Sequence, residues 1–131
     1  MIEYELKSLK NPSTDKYEIK IIQPELTFLG VKEQPDLAEL IIKIYPSDTI
    51  IELKSLKYYL MNFRNKIISY ERLINVIYDD LIEKYKPTRL TLTLNCRPRG
   101  GISSNLTIDS QWRKPTKKFI FDAKMDVNKN D

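Results

Sequence analysis

The segment that decides the fold is Leu90-Thr91-Leu92-Thr93-Leu94-Asn95-Cys96, in which apolar and polar residues alternate without a break. Such alternation is typical of a β-strand with one buried face, because successive side chains of a strand point to opposite faces. The three leucines and Cys96 therefore belong to the core face. We expect Cys96 to be a core residue that acts as a small hydrophobe.

Before this strand the apolar residues are spaced by three and four, which indicates two amphipathic helices. The first helix is predicted over residues 55–67. The second begins after Ser69, a suitable N-cap, and ends before Pro87, which cannot continue a helix. The apolar stripes consist of Leu56, Tyr59, Leu60, Phe63 and Ile67 in the first helix and Ile74, Ile77, Tyr78, Leu81, Ile82 and Tyr85 in the second.

Three further strands are expected around this central part of the chain. Residues 17–21 alternate between apolar and charged, and residues 37–45 place every second side chain on one apolar face. The stretch from Pro24 to Pro35 contains Gly30 and is interpreted as a loop. A turn at residues 98–101 leads to a short last strand at 106–109, and the first two strands are expected to pair antiparallel.

The resulting order is strand, strand, helix, helix, strand, strand. It predicts an α+β fold in which two helices cover one face of a four-stranded antiparallel sheet. The order resembles the tunnelling fold, whose subunits join their sheets into a barrel, whereas a ferredoxin-like arrangement would interleave its helices singly. Residues 1–112 are predicted to form a single domain. Residues 113–131 are predicted to form a basic tail, since they contain six Lys or Arg and three Asp.

The composition excludes several classes of site. The 131 residues include no histidine, so Ser-His and Cys-His nucleophile pairs and His-ligated zinc are excluded. The single cysteine cannot form an intrachain disulfide, which favours a reducing, cytoplasmic location. We expect no signal peptide, because the first residues are acidic and lack an apolar core. The net charge of +4 comes mostly from the tail, which weakens a nucleic-acid interpretation.

Three clusters could carry chemistry, and each has a structural alternative. Asp36 follows Gln34 and Pro35 at the start of a strand, and is either a general acid or a turn residue. Lys54, Ser55 and Lys57 lie at a helix start and either bind phosphate or form a solvated helix end. In residues 98–103, two adjacent glycines beside an arginine either allow close approach of a ligand or form a tight turn.

Together these clusters resemble the short form of 7-cyano-7-deazaguanine reductase, the QueF family, over roughly residues 20–110. The resemblance implies the tunnelling fold and a homo-oligomeric ring with sites at subunit interfaces. It also implies NADPH-dependent reduction of the nitrile of 7-cyano-7-deazaguanine to an aminomethyl group, a step toward queuosine in tRNA. The segments that show the resemblance are Gln34–Ala38, Glu52–Leu60, Phe63–Asn65, Glu71 and Pro98–Ser103.

The resemblance also implies roles for individual residues. Asp36 matches the family's catalytic acid, which protonates the nitrogen derived from the nitrile. Glu71 matches the substrate-binding glutamate that holds the guanine-like edge, and Gly30 stands in the substrate pocket at the position of the nucleophilic cysteine. The positions associated with the phosphates of NADPH are Lys54, Ser55, Lys57 and Arg99.

Gly30 leaves three hypotheses about function. Glycine has no side chain that could add to a nitrile and form the family's covalent thioimide. The chain is therefore either a reductase that is active or descended from active ones, or an enzyme like the related archaeal amidinotransferases, or a binding protein. The amidinotransferases add ammonia to the same nitrile in tRNA, and a binding protein would hold 7-deazaguanines or tRNA without turnover. Cys96 could replace the nucleophile only if its strand end reached the pocket.

Overall fold

A four-stranded antiparallel sheet with two helices on one face forms the body of the structure. The computed structural model describes residues 4–113, so the predicted basic tail lies outside the described residues except for Arg113. In chain order the elements are β1 (Ser8–Lys10), β2 (Ile19–Leu29), β3 (Pro35–Tyr45), β4 (Thr49–Ile51), α1 (Leu53–Met61), α2 (Tyr70–Tyr85), β5 (Arg89–Cys96), β6 (Asn105–Asp109) and a 3₁₀ turn at Ser110–Trp112.

The main sheet has the strand order β2-β3-β5-β6, with every pair antiparallel. Ile42 in β3 lies opposite Ile21 in β2 and Leu92 in β5. The even-numbered residues of β3 and β5 are buried, and all of them except Asp36 form one core with apolar residues of both helices. This confirms the predicted fold class, including the antiparallel pairing of the first two strands.

The predicted loop from Pro24 to Pro35 is wrong, because β2 continues to Leu29. Pro24 and Glu25 together face the single residue Glu39, so the register shifts by one residue between Gln23 and Leu26. A bulge on an edge strand tolerates a proline, whose missing N–H breaks no interior ladder. After the bulge, alternate residues are again buried, among them Leu26 and Phe28.

The second helix is predicted well and the first is predicted too long. Ser69 caps α2 by accepting a hydrogen bond from the backbone N–H of Arg72 at 3.2 Å, and Lys86 ends it in the left-handed conformation. Helix α1 stops at Met61, and Ile67 is 53% exposed although its spacing placed it on the apolar stripe. Neither these helices nor any other helix within residues 4–113 could span a membrane.

A small two-stranded ribbon of β1 and β4 was not predicted. These strands have three residues each and no periodic signal, and they pair antiparallel with each other. Lys7, just before β1, connects them to the helices. The Lys7 N–H donates to Ser55 Oγ at 2.9 Å, and Tyr85 OH donates to the Lys7 carbonyl at 2.7 Å. The ribbon therefore joins the N-terminal segment to both helices.

The two faces of β3 provide a direct test of the core. Ile42 is 1% exposed, and its neighbour Ile41 lies on the half-buried opposite face. We expect Ile42→Ala to lower the free energy of unfolding by about 2–5 kcal/mol. Ile41→Ala, the matched control, should cost about 1 kcal/mol or less. Urea denaturation followed by circular dichroism measures both, and equal losses would contradict the assignment of the buried face.

Candidate functional site

A pair of backbone hydrogen bonds joins the end of β2 to the segment before α2. The N–H of Leu29 donates to the carbonyl of Lys66 at 3.0 Å, and the N–H of Ile68 donates to the carbonyl of Leu29 at 3.0 Å. Leu29 and Ile67 thus form a parallel bridge. We call these contacts the Leu29 clasp. Because Ser69 follows directly, the clasp holds the first turn of α2 beside the turn that begins at Gly30.

The turn from Gly30 to Gln34 connects β2 to β3. The N–H of Gly30 donates to the carbonyl of Gln34, and the N–H of Glu33 donates to the carbonyl of Gly30, both at 2.8 Å. Glu33 adopts a positive φ of 62°, which closes the turn. The chain then enters β3 at Pro35, so that Asp36 is buried at the sheet end next to the same turn.

A cavity of about 370 Å³ opens between this turn and the start of α2. Its lining includes four of the seven residues that the resemblance singled out. Two of them are acidic, and they come from different elements, β3 and α2. The four residues are Gly30, Asp36, Glu71 and Arg99.

Asp36 is 8% exposed, and its carboxylate is held by three donors. Arg99 Nη1 lies 2.6 Å from Oδ2, and the hydroxyl of Tyr70 donates to the same oxygen at 2.8 Å. The N–H of Leu37 donates to Oδ1 at 3.0 Å. Burial raises the pKa of Tyr70, and the hydrogen bond to Asp36 raises it further. The tyrosine therefore stays protonated and acts as a donor.

Arg99 reaches Asp36 from the turn after β5. The N–H of Arg99 donates to the carbonyl of Ile102 at 2.8 Å, and the reverse bond is 3.0 Å long. Gly100 and Gly101 both have positive φ, which a tight hairpin of this kind requires. A Cβ on either glycine would meet no atom within 4 Å. The two glycines are therefore explained by the tight turn and not by close packing within the chain.

Glu71 lies in the first turn of α2 with its side chain exposed toward the cavity. Among residues 4–113, no side chain or backbone N–H forms a hydrogen bond or ion pair with its carboxylate. The positive end of the helix dipole favours a negative charge at this position. The carboxylate is thus available to accept hydrogen bonds from a ligand.

The start of α1 does not contribute to this cavity. The carboxylate of Glu52 caps the helix by accepting from the N–H groups of Ser55 at 2.8 Å and Lys54 at 3.3 Å. The hydroxyl of Ser55 is buried and bonded to the carbonyl of Glu52. The chain's own carboxylate thus takes N–H groups that a phosphate would use. Lys57 lines a separate depression of about 100 Å³ that also includes Arg64.

Cys96 is 5% exposed and belongs to the core, as predicted. It lies opposite Ala38, two residues from Asp36 along β3, but it is not part of the cavity lining. Burial, with smaller contributions from the negative charges of Asp36 and Glu71, raises the pKa of its thiol to about 11. A thiol in this environment is a poor nucleophile at neutral pH.

The site roles assigned from the sequence include neither Lys32 nor Tyr70. Both line the cavity, and Tyr70 bonds to the predicted acid. The Asp36–Arg99 pair was also missed, because these residues are 63 positions apart and meet only through the pairing of β3 with β5.

Comparison with known proteins identifies similar sequences over most of the chain. The model of the family described as QueF-like protein matches residues 35–115. An NADPH-dependent 7-cyano-7-deazaguanine reductase of Chlorobaculum tepidum is 43% identical over 93 residues, which are 70% of this chain and 80% of the relative. The enzyme of the same name from Chloroherpeton thalassium is 38% identical over 104 residues, or 79% of this chain and 89% of the relative.

A solved structure supports the fold independently. The apo form of the archaeosine synthase QueF-Like superposes with a TM-score of 0.63 and covers 74% of this chain and 94% of its own. Its sequence is only 13% identical, so the likeness concerns the arrangement of strands and helices. The superposition agrees with the tunnelling fold.

The environment of Cys96 predicts an unreactive thiol. At about pH 8, a pKa near 11 leaves roughly one thiol in a thousand ionised, against about a quarter for an ordinary cysteine. We expect the native protein to react with a disulfide reagent at least ~100-fold more slowly than the urea-unfolded protein. A disulfide reagent that releases a coloured thiolate allows the reaction rates of the native and the unfolded protein to be followed by absorbance. Equal rates would show that Cys96 is accessible and would reopen its role as a nucleophile.

Proposed function

The chain belongs to the QueF family, and on this premise we propose that its cavity binds 7-cyano-7-deazaguanine and acts on the nitrile without a covalent thioimide. The main observation behind the proposal is that Asp36 and Glu71 line the same cavity. The sequence resemblance assigns these two residues to the same ligand. Their convergence supports one common site.

Glu71 is proposed to bind the guanine-like edge of the base. That edge presents a ring N–H and an amino group side by side, and one carboxylate can accept from both. Hydrogen bonds to a charged group contribute roughly 1.5–3 kcal/mol each. The lack of another partner for Glu71 within the described residues supports this role, because a ligand need not displace an existing contact.

Asp36 is proposed to relay a proton from the solvent in the open cavity to the nitrogen derived from the nitrile. Conversion of a nitrile to a primary amine adds two hydrides and two protons, so a proton donor at the cavity is required. Tyr70 and Arg99 orient the carboxylate through Oδ2. Arg99 is 47% exposed, so it can also contact a ligand at the cavity mouth.

NADPH is the proposed source of hydride, as it is for the relatives named above. The residues that fit its phosphates are the exposed cations Lys54 and Lys57, since their ammonium groups are not needed to cap the helix. Ser55 is proposed to position this segment instead, because its hydroxyl bonds to Glu52 and Lys7. When bound, the cofactor would supply the hydride that none of these side chains provides.

A homo-oligomeric ring is proposed for the assembly. Strands β2 and β6 are the edges of the main sheet, and each leaves a row of backbone groups available for pairing. Two apolar side chains near the cavity, Val31 and Ile102, are 75% and 74% exposed. Both features suit an interface between copies of the chain.

Binding without turnover is the second candidate function, and Gly30 favours it. A nitrile is a weak hydride acceptor until a nucleophile converts it to a more reactive group, and Gly30 offers none. Cys96 does not replace it, because that thiol is buried outside the cavity lining.

The experiment combines intact-protein mass spectrometry with product analysis. We expect the wild type to retain 7-cyano-7-deazaguanine without a stable covalent adduct. Gly30→Cys combined with Gln34→Ala, which makes room for the new side chain, should gain the thioimide adduct. Gly30→Ala with Gln34→Ala is the matched control without a thiol. A wild-type adduct that Cys96→Ala abolishes would contradict the proposal, as would failure to retain the base.

The products formed with NADPH separate the two candidate functions. Formation of the aminomethyl base by the wild type would establish reduction without a thioimide. A ligand that is retained as the unchanged nitrile would establish the binding protein.

A further inference from the structure

The side-chain amide of Gln34 lies directly over Gly30. A Cβ built on Gly30 would stand 2.0 Å from Gln34 Nε2 and 2.6 Å from the amide carbon, so no larger residue fits without moving that amide. The backbone at Gly30 does not have the positive φ that only glycine adopts easily. The Gln34 amide therefore occupies the space that a side chain at position 30 would use, whereas the backbone conformation at Gly30 does not itself require glycine.

The orientation of this amide is set by a local hydrogen bond. The N–H of Lys32 donates to Gln34 Oε1 at 3.0 Å, which assigns the other end of the amide to Nε2. That nitrogen carries two donors. Within residues 4–113 no acceptor takes a hydrogen bond from it, and Gln34 lines the cavity together with Gly30 and Lys32. An oriented pair of N–H donors is thus available at the cavity wall.

We infer that Gln34 recognises the substituent at C7 of the bound base by donating from Nε2 to the nitrile nitrogen. This inference rests on the proposed function, which places 7-cyano-7-deazaguanine in the cavity. A nitrile nitrogen is a hydrogen-bond acceptor, and the Nε2 donors match it. The contact is non-covalent and uses the space where the family's cysteine side chain would stand. Gln34 and Gly30 then form one unit, since a side chain at position 30 would displace the amide.

A role confined to the turn is the competing explanation. The backbone carbonyl of Gln34 accepts from Gly30, and Oε1 accepts from Lys32, so both oxygens already serve the turn. These bonds do not use Nε2. If Gln34 serves only the turn, replacing Nε2 while an acceptor oxygen is kept should not change ligand binding. Recognition of the nitrile, in contrast, requires the N–H donors of Nε2.

Gln34→Glu separates the two explanations. The glutamate keeps an oxygen for the N–H of Lys32 and nearly the same shape, but it replaces the donors by an acceptor that repels the nitrile nitrogen. The test compares the affinities for 7-cyano-7-deazaguanine and for 7-deazaguanine, measured by calorimetry on the full chain. We expect the wild type to prefer the cyano base about tenfold, and Gln34→Glu and Gln34→Met to lose that preference.

Glu71→Gln is the matched control, because it removes recognition at the other end of the base. It should weaken both ligands by the same factor and leave the preference for the cyano base intact. If Gln34→Glu and Gln34→Met retain the wild-type preference, or if the wild type binds both bases equally, the inference is wrong while the proposed function stands. If the wild type binds neither base, both fail together.

Discussion

The Leu29 clasp is the constraint on which the candidate site depends. Its two hydrogen bonds connect residues that are 37 and 39 positions apart in the chain, Leu29 with Lys66 and Leu29 with Ile68. They bring the end of β2, the Gly30 turn and the first turn of α2 to one place. The core fixes the sheet and the helices through apolar burial, which has no directional preference. The hydrogen bonds of the clasp are directional, so they fix the first turn of α2 beside the Gly30 turn. Glu71 is thereby positioned at the cavity that Asp36 also lines.

The cavity contains two carboxylates whose surroundings differ in kind. Asp36 is buried and held by Arg99 and Tyr70, so the chain itself satisfies it. Glu71 is exposed at a helix N-terminus, and among the described residues nothing bonds to its carboxylate. When two acidic groups in one site have such different environments, they are suited to different tasks. Under the proposed function, the buried Asp36 would act at the nitrile and the exposed Glu71 would bind the guanine-like edge of the base.

Local patterns were enough to predict most of the fold. The alternation in β3 and β5 and the cap at Ser69 are properties of neighbouring residues, and the structure confirms them. The extent of β2 was missed because Pro24 normally ends a strand, while here a bulge opposite Glu39 accommodates it. The strands β1 and β4 were missed because three-residue strands have no period to detect.

The family resemblance named seven residues, and the structure brings Gly30, Asp36, Glu71 and Arg99 together at one cavity. Lys54, Ser55 and Lys57 lie elsewhere, at the start of α1. The contacts among the cavity residues could not be predicted. The pairing of Arg99 with Asp36 depends on the register between β3 and β5, and the capping of α1 by Glu52 depends on side-chain rotation. Neither the strand register nor the side-chain rotation can be predicted from a local sequence pattern. Gln34 belonged to a recognised motif, but its packing against Gly30 depends on side-chain rotation and could not be predicted.

Recognition of the guanine-like edge by Glu71 is the central claim, and one calorimetric titration tests it most directly. The full chain is titrated with 7-cyano-7-deazaguanine and with the analogue that lacks the exocyclic amino group. If Glu71 accepts from that group, the analogue should bind at least tenfold more weakly, which corresponds to about 1.4 kcal/mol. The same titration of Glu71→Gln should show a much smaller difference between the two bases. Equal affinity of the wild type for both bases would contradict the claim.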